Sequence, residues 1–295
     1  MAFYQNLTFL GNFNGSVADN GQVFINPPRT GKYAAFYIKA IPASGKTSTD
    51  LTNAVMASAV TEVRASCNGN QRIKFPTWGF HDVYKSRTGA TCPNGIIPLL
   101  LCNDKYTTYG QKQVGAWGMG GINSFDITLM LGAGVTTNIS AFELYADQSP
   151  TTEQAGMWQG YTYQTDTAPK EGAYDITTLQ TFGADTLVQA IHVTHDTTDG
   201  KLATFSSQEV MVNGVVVVRN NIPEDIFAIS ETAFGNYPTE VKGNVIRFDA
   251  GDDPNMCLVM ANVNQLRYRA DISGTNTAAV PVTFLYEALR GFTSK

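Results

Sequence analysis

Residues 137–147 read TNISAFELYAD and residues 261–271 read ANVNQLRYRAD, so residue 137 aligns with residue 261 at a constant offset of 124. Asn138 then meets Asn262, Ile139 meets Val263, Phe142 meets Leu266, and Ala146-Asp147 meets Ala270-Asp271. Both stretches alternate with period two, the mark of a strand with one buried and one solvated face. Phe142, Leu144 and Ala146 share one face of the first, and Leu266, Tyr268 and Ala270 share one face of the second. Glu143 falls on the opposite face of the first copy, and Arg267 and Arg269 on that of the second. The reading predicts equivalent strands in two copies of one β-sandwich, with Phe142 and Leu266 at matching core positions.

Further pairs recur in the same order. Glu62-Val63 precedes Asn68-Gly69, and Glu209-Val210 precedes Asn213-Gly214. Asn-Gly between apolar alternating runs signals a type I′ hairpin, whose central residues both need positive φ. An apolar strand precedes each hairpin, Tyr33 to Ile41 and Leu187 to Val193. Phe125 to Gly132 aligns with Val245 to Gly251, and the closing runs are Met157 to Tyr163 and Val280 to Ala288. Helices are expected at Leu51 to Val60 and from Asn221 to about Phe234, where Pro223, Glu224 and Asp225 suit a first turn. The polar run TDTAPKEGAYD (165–175) reads as a linker. The fold class expected is all-β: two tandem jelly-roll sandwiches with a few short helices, residues 1–165 and 175–295, joined by 166–174. Two immunoglobulin-like sandwiches satisfy the same periodicity.

The composition agrees with two β-rich domains. The chain has 295 residues, 43% hydrophobic, which is enough for two packed cores. Charged residues are only 15%, and the polar balance is carried by Thr, Asn, Gln and Ser. Net charge is −5 and pI about 5.2, with no run of Lys or Arg. Direct nucleic-acid binding is therefore not expected, because phosphate neutralisation supplies most of that affinity. Cys67, Cys92, Cys102 and Cys257 are scattered and read as free thiols. The N-terminal stretch shows no leader pattern, and the apolar runs are too short to span a bilayer, so folding in a cytoplasm is expected.

The segments also carry a resemblance. Ala190-Ile191-His192-Val193, the Asn213-Gly214 hairpin, Ile246-Arg247-Phe248, Gln265-Leu266-Arg267-Tyr268 and Val282-Thr283-Phe284-Leu285-Tyr286-Glu287 follow one another in the second half. Asn6-Leu7 and Phe125-Asp126-Ile127-Thr128 to Gly134 stand in the first. Their order resembles the major capsid protein of corticoviruses, bacteriophage coats in the adenovirus and tectivirus lineage of double jelly-roll proteins. The stretch Pro76 to Pro98 departs from that pattern. The resemblance implies a structural homotrimer, found in the virion and assembled in the host cytoplasm. Such trimers tile an icosahedral shell over an internal membrane, with penton or minor capsid proteins as partners. It implies no catalytic residues. The alternative function is a carbohydrate-binding tandem β-sandwich, suggested by 13 Tyr and by Trp78, Trp117 and Trp158. Core and interface packing is the plainer use of those rings.

Sharper chemical motifs are incomplete. Ala40-Ile41-Pro42-Ala43-Ser44-Gly45-Lys46-Thr47 approaches a phosphate-binding loop, but Ala40 stands where Gly is needed and Pro42 lacks an amide donor. His192 and His195, near Asp196 and Asp199, sit three apart on a strand and so face opposite sides. His81 stands alone. Asp249, Asp252, Asp253 and Asn255 gather oxygen donors in one turn and are the calcium candidates, a reading the resemblance to coats stabilised by calcium strengthens. No other cofactor is expected. Asp147 and Asp271 read as turn caps at strand ends. Asn6, Asn14 and Asn138 lie in glycosylation sequons.

Overall fold

The computed structural model describes residues 6–106, 108–154, 156–169, 171–177, 179–180, 182–195, 204–217, 222–223, 244–249, 254–273 and 279–291. The chain divides into two compact units: one holds Met1–Thr162 and Leu289–Lys295, the other Tyr163–Ala288.

The first unit is built on β1 (Asn6–Asn12), β2 (Gln22–Ile25), β3 (Lys32–Pro42), β4 (Val60–Cys67), β5 (Asn70–Pro76), β6 (Ile96–Leu100), β8 (Phe125–Leu131) and β9 (Ile139–Ser149). Two-residue β7 (Trp117–Gly118) pairs with β3. One sheet runs β1-β9-β3-β6 and the facing path runs β2-β8-β4-β5. In strand number along the chain, leaving out β7, these are first-eighth-third-sixth and second-seventh-fourth-fifth. That is the order of a jelly roll.

The second set of strands is β10 (Met157–Ala168), β11 (Gly172–Ile176), β12 (Thr186–His195), β13 (Thr204–Val212), β14 (Val215–Val216), β16 (Asn244–Arg247), β18 (Leu266–Ser273) and β19 (Val280–Gly291). Its paths are β10-β19-β12-β16 and β11-β18-β13-β14, again first-eighth-third-sixth and second-seventh-fourth-fifth. Two-residue β17 (Leu258–Val259) falls between the sixth and seventh strands and pairs with the third, as β7 does. β15 (Ile222–Pro223) adds a second short stretch along β13, beside β14.

This order corrects the opening alignment. Residues 137–147 lie at the end of α4 (Val135–Asn138) and in β9, the eighth strand of its roll, whereas 261–271 lead into and occupy β18, the seventh. The face assignments nevertheless hold. Phe142, Leu144, Ala146, Leu266, Tyr268 and Ala270 are all buried, while Glu143 pairs outward with Lys39 and Arg267 with Asp175. Seventh and eighth strands both place one face on the core and the other in water, so both follow the same binary pattern. Alternation cannot tell them apart. For the same reason β8 matches β18 and not β16. Met157 to Tyr163 opens the second roll rather than closing the first. The run read as a linker contains the end of β10 and most of β11.

The hairpin alignment stands. β4 and β13 are both fourth strands, and β3 and β12, the apolar strands before them, are both third. Asn68 and Asn213 have φ of 50° and 52°, followed by Gly69 and Gly214 at 75° and 82°. Each asparagine also clamps the loop that leads into the seventh strand. Asn68 Oδ1 accepts from the amides of Asn123 (2.7 Å) and Ser124 (3.2 Å), and Asn213 Oδ1 accepts from those of Asn264 (2.8 Å) and Gln265 (3.1 Å). The side-chain amides donate to Gly121 O and Asn262 O respectively.

The expected helix at Leu51 to Val60 is α1 (Asn53–Ala59), capped by Thr52, whose side chain accepts from the Val55 amide. The helix expected from Asn221 to Phe234 lies outside the described residues, apart from Ile222–Pro223 in β15. The divergent stretch from Pro76 contains α2 (Thr77–Thr88), which stops at Gly89 in the left-handed region, φ 73°. α3 (Tyr109–Lys112) is a single turn with a Thr108–Gln111 capping box.

The first core centres on aromatic rings. Phe36 packs on Tyr33 (4.7 Å between centroids), Phe125 (5.7 Å) and Trp117 (6.1 Å), and Trp117 lies 5.3 Å from Trp158. Trp117 Nε1 donates to Gln159 O at 2.9 Å, so the buried indole keeps its hydrogen bond. The second core joins Val188, Ile191, Val210, Tyr268, Phe284 and Tyr286, with Tyr268 edge-on to Phe284 at 5.1 Å.

Candidate functional site

The structure engages most of the chemically suggestive residues in internal bonds. The loop from Ala40 directs its amides at carbonyls: Ala40 donates to Gly95, Ala43 to Asn138 and Lys46 to Ala43. Thr47 donates through both its amide and its hydroxyl to Asp50, closing a capped turn. A phosphate would have to break these bonds to reach those amides.

Asp249 is buried, and its two oxygens accept from Arg247 Nε (2.8 Å) and Nη2 (2.6 Å). Asn255 is exposed in the turn Pro254–Met256, while Asp252 and Asp253 lie outside the described residues. Among the described residues, no three His, Cys, Asp or Glu side chains form a metal-holding group. His192 is buried on β12 with Nε2 2.5 Å from Glu287 Oε1 on β19, a pair that sequence spacing did not suggest. The His195 side chain lies outside the description. His81, on α2, bonds Ile96 O at 3.0 Å, and burial pushes its pKa down. Asp147 accepts from Tyr37 Oη at 2.8 Å. Burial first, then that bond, raises the Tyr37 phenol. None of the four cysteines is in a disulfide, and burial pushes the Cys67 and Cys92 thiols up to about 12.

The aromatic residues divide clearly. Trp117, Trp158, Tyr161, Tyr268 and Tyr286 are fully buried, which assigns them to packing. Exposed apolar side chains include Phe24, Tyr109, Met256 and Val259, and two further pairs lie at sheet edges. Leu7 and Phe9 are 65% and 51% exposed on β1, and Val215 and Val217 are 64% and 50% exposed on and beside β14. On the same outer surface as Phe9 lies a polar network. Phe9 packs at a tilt against Tyr145 (5.3 Å), Tyr145 donates to Glu143 (2.8 Å), and Glu143 pairs with Lys39 (3.2 Å). Alternation in NLTFL already put Leu7 and Phe9 on one face, but a strand read alone does not say which face is solvated.

No family model and no curated protein matches this chain. Solved structures do. The chain is similar to the major capsid protein P2 from bacteriophage PM2 with a TM-score of 0.76 and 14% identity, covering 98% of each chain. It is similar to the Sulfolobus turreted icosahedral virus major capsid protein (TM-score 0.64, 9% identity, 98% and 97% covered). The Faustovirus major capsid protein follows (TM-score 0.63, 8% identity, 99% and 91% covered). With both strand orders repeated in tandem and each likeness spanning nearly the whole chain, this protein has the double jelly-roll fold of viral major capsid proteins.

Proposed function

We propose that the chain is a viral major capsid protein, a structural subunit and not an enzyme, which forms homotrimers that tile an icosahedral shell. The observation that carries this is the repetition of one strand order in both halves of one chain. Three copies of a two-roll chain supply six similar units, so a trimer can fill a hexagonal position while obeying only three-fold symmetry. The full-length likeness to coat proteins supports the same reading.

Its partners are then neighbouring trimers, penton or minor capsid proteins, and an internal membrane beneath the shell. The net charge of −5 fits a layer that does not touch the genome directly. No described helix is long and apolar enough to cross a membrane. Burial of Trp117 and Trp158 removes two of the three indoles from any sugar-stacking surface, and nothing specific favours the carbohydrate reading.

Light scattering after gel filtration tests the proposal. A trimer mass, and closed shells by electron microscopy when trimers are concentrated with their partners, are the expected results. A chain that stays monomeric at every concentration removes the capsid reading and leaves the fold.

A further inference from the structure

In the first unit, β5 has β4 on one side and β10 on the other, running parallel to it at Tyr161↔Ile73. By strand order, β10 is a first strand and β5 a fifth. The equivalents of these two strands are β1 and β14, and neither has a second neighbour among the described residues. β1 pairs only with β9, and β14, continued by β15, pairs only with β13. Both carry exposed apolar side chains, Leu7 and Phe9 on one and Val215 and Val217 on the other.

An open strand edge flanked by exposed apolar residues is a template for another strand. The occupant most consistent with this chain is a second copy of itself, because the chain already makes the first-to-fifth contact once, at β10 and β5. We propose that β1 of one copy lies parallel against the β14–β15 edge of the next. The contact is head to tail: it joins two different edges, β1 of one copy and β14 of the next, so it propagates until it closes. Closure at three copies rests on the homotrimer proposed above. In such a ring every first strand lies beside a fifth strand, alternately within a chain and between chains.

Two double variants test this, Leu7→Asp with Phe9→Asp and Val215→Asp with Val217→Asp. All four side chains are at least half exposed, so circular dichroism and melting should stay near those of the unmodified chain. Each variant is expected to be monomeric at concentrations at least tenfold above those at which the unmodified chain is trimeric. An equimolar mixture should give dimers and nothing larger, since it retains one intact β1 edge and one intact β14 edge per pair. If either variant remains a trimer, or the mixture stays monomeric, the edge contact is overturned and the capsid reading stands. An unmodified chain that is itself monomeric overturns both. If dichroism shows a variant unfolded, amide hydrogen exchange on the unmodified protein decides. Amides of β1 and β14 should exchange at least tenfold more slowly in the assembled than in the dissociated protein, and equal rates overturn the contact.

Discussion

Replacing Asn213 by glycine isolates the clamp from the turn. Glycine keeps the positive φ of 52° without strain but removes the two bonds accepted from Asn264 and Gln265 and the 2.8 Å bond donated to Asn262 O. The backbone bond from Asn213 N to Gln265 O survives. Each lost bond is worth about 0.5–1.5 kcal/mol net, and the site is exposed, so the lower end applies. Three such bonds give roughly 1.5–2 kcal/mol. Alanine adds the cost of a Cβ in the left-handed region, about 1 kcal/mol more. For a unit of this size, 1.5–2 kcal/mol lowers Tm by roughly 3–8 °C. Asn68→Gly should cost somewhat less, because its donated bond to Gly121 O is long, at 3.5 Å. Scanning calorimetry of Asn213→Gly, Asn213→Ala and Asn68→Gly measures all three. The reasoning fails if both glycine variants melt within about 1 °C of the parent, or if alanine is no worse than glycine.

Glu287→Ala leaves His192 buried without its partner, and the expected loss is about 3 kcal/mol in urea denaturation; a loss below about 1 kcal/mol would contradict a structural role for the pair. The Arg267 guanidinium bonded to Asp175 lowers that carboxyl from its ordinary 3.8, so the stability it contributes is present above that value and lost as pH falls through the lower folded value. Because the pair is partly exposed, the difference between parent and Asp175→Asn should be under about 1 kcal/mol at pH 6 and shrink as the pH falls below 3.8; a constant difference refutes the linkage. Buried Cys67 and Cys92 should react with a thiol reagent only on unfolding, and rapid modification of the native protein would show them accessible. Calcium at the turn from Asp249 to Asn255 should raise Tm, with the gain abolished by Asp253→Asn; a Tm indifferent to calcium and to chelator removes the ion.

Local chemistry was legible in the sequence, but strand identity was less so. Asn68-Gly69 and Asn213-Gly214 announced their turns because positive φ restricts the choice of residue, and those turns align the two rolls correctly. The stretches at 137–147 and 261–271 share their pattern because each strand buries alternate residues, a condition met by many strands of either roll. α2 was missed for a different reason. It buries Thr77, Gly79, His81, Ser86 and Arg87 along with Phe80 and Val83, so its inward face carries no apolar stripe. Pro76 and Gly89 were its visible boundaries. Arg87 is accommodated there by donating to Leu100 O and Cys102 O, partners set by tertiary structure alone. That β1 and β14 lack a second neighbour among the described residues was illegible for a similar reason: a strand becomes an edge only through the order of its neighbours.

The three tryptophans give the molecule a built-in optical asymmetry. Trp78, Trp117 and Trp158 all lie in the unit containing Met1–Thr162, whereas Tyr163–Ala288 holds tyrosines and no indole. Trp117 and Trp158, 5.3 Å apart and shielded from water, should emit at short wavelength and couple in the near-ultraviolet. Excitation at the red edge of indole absorption therefore follows one half of the chain, while far-ultraviolet dichroism follows both. Where the two signals part during denaturation, the difference is the second half, observed without a label.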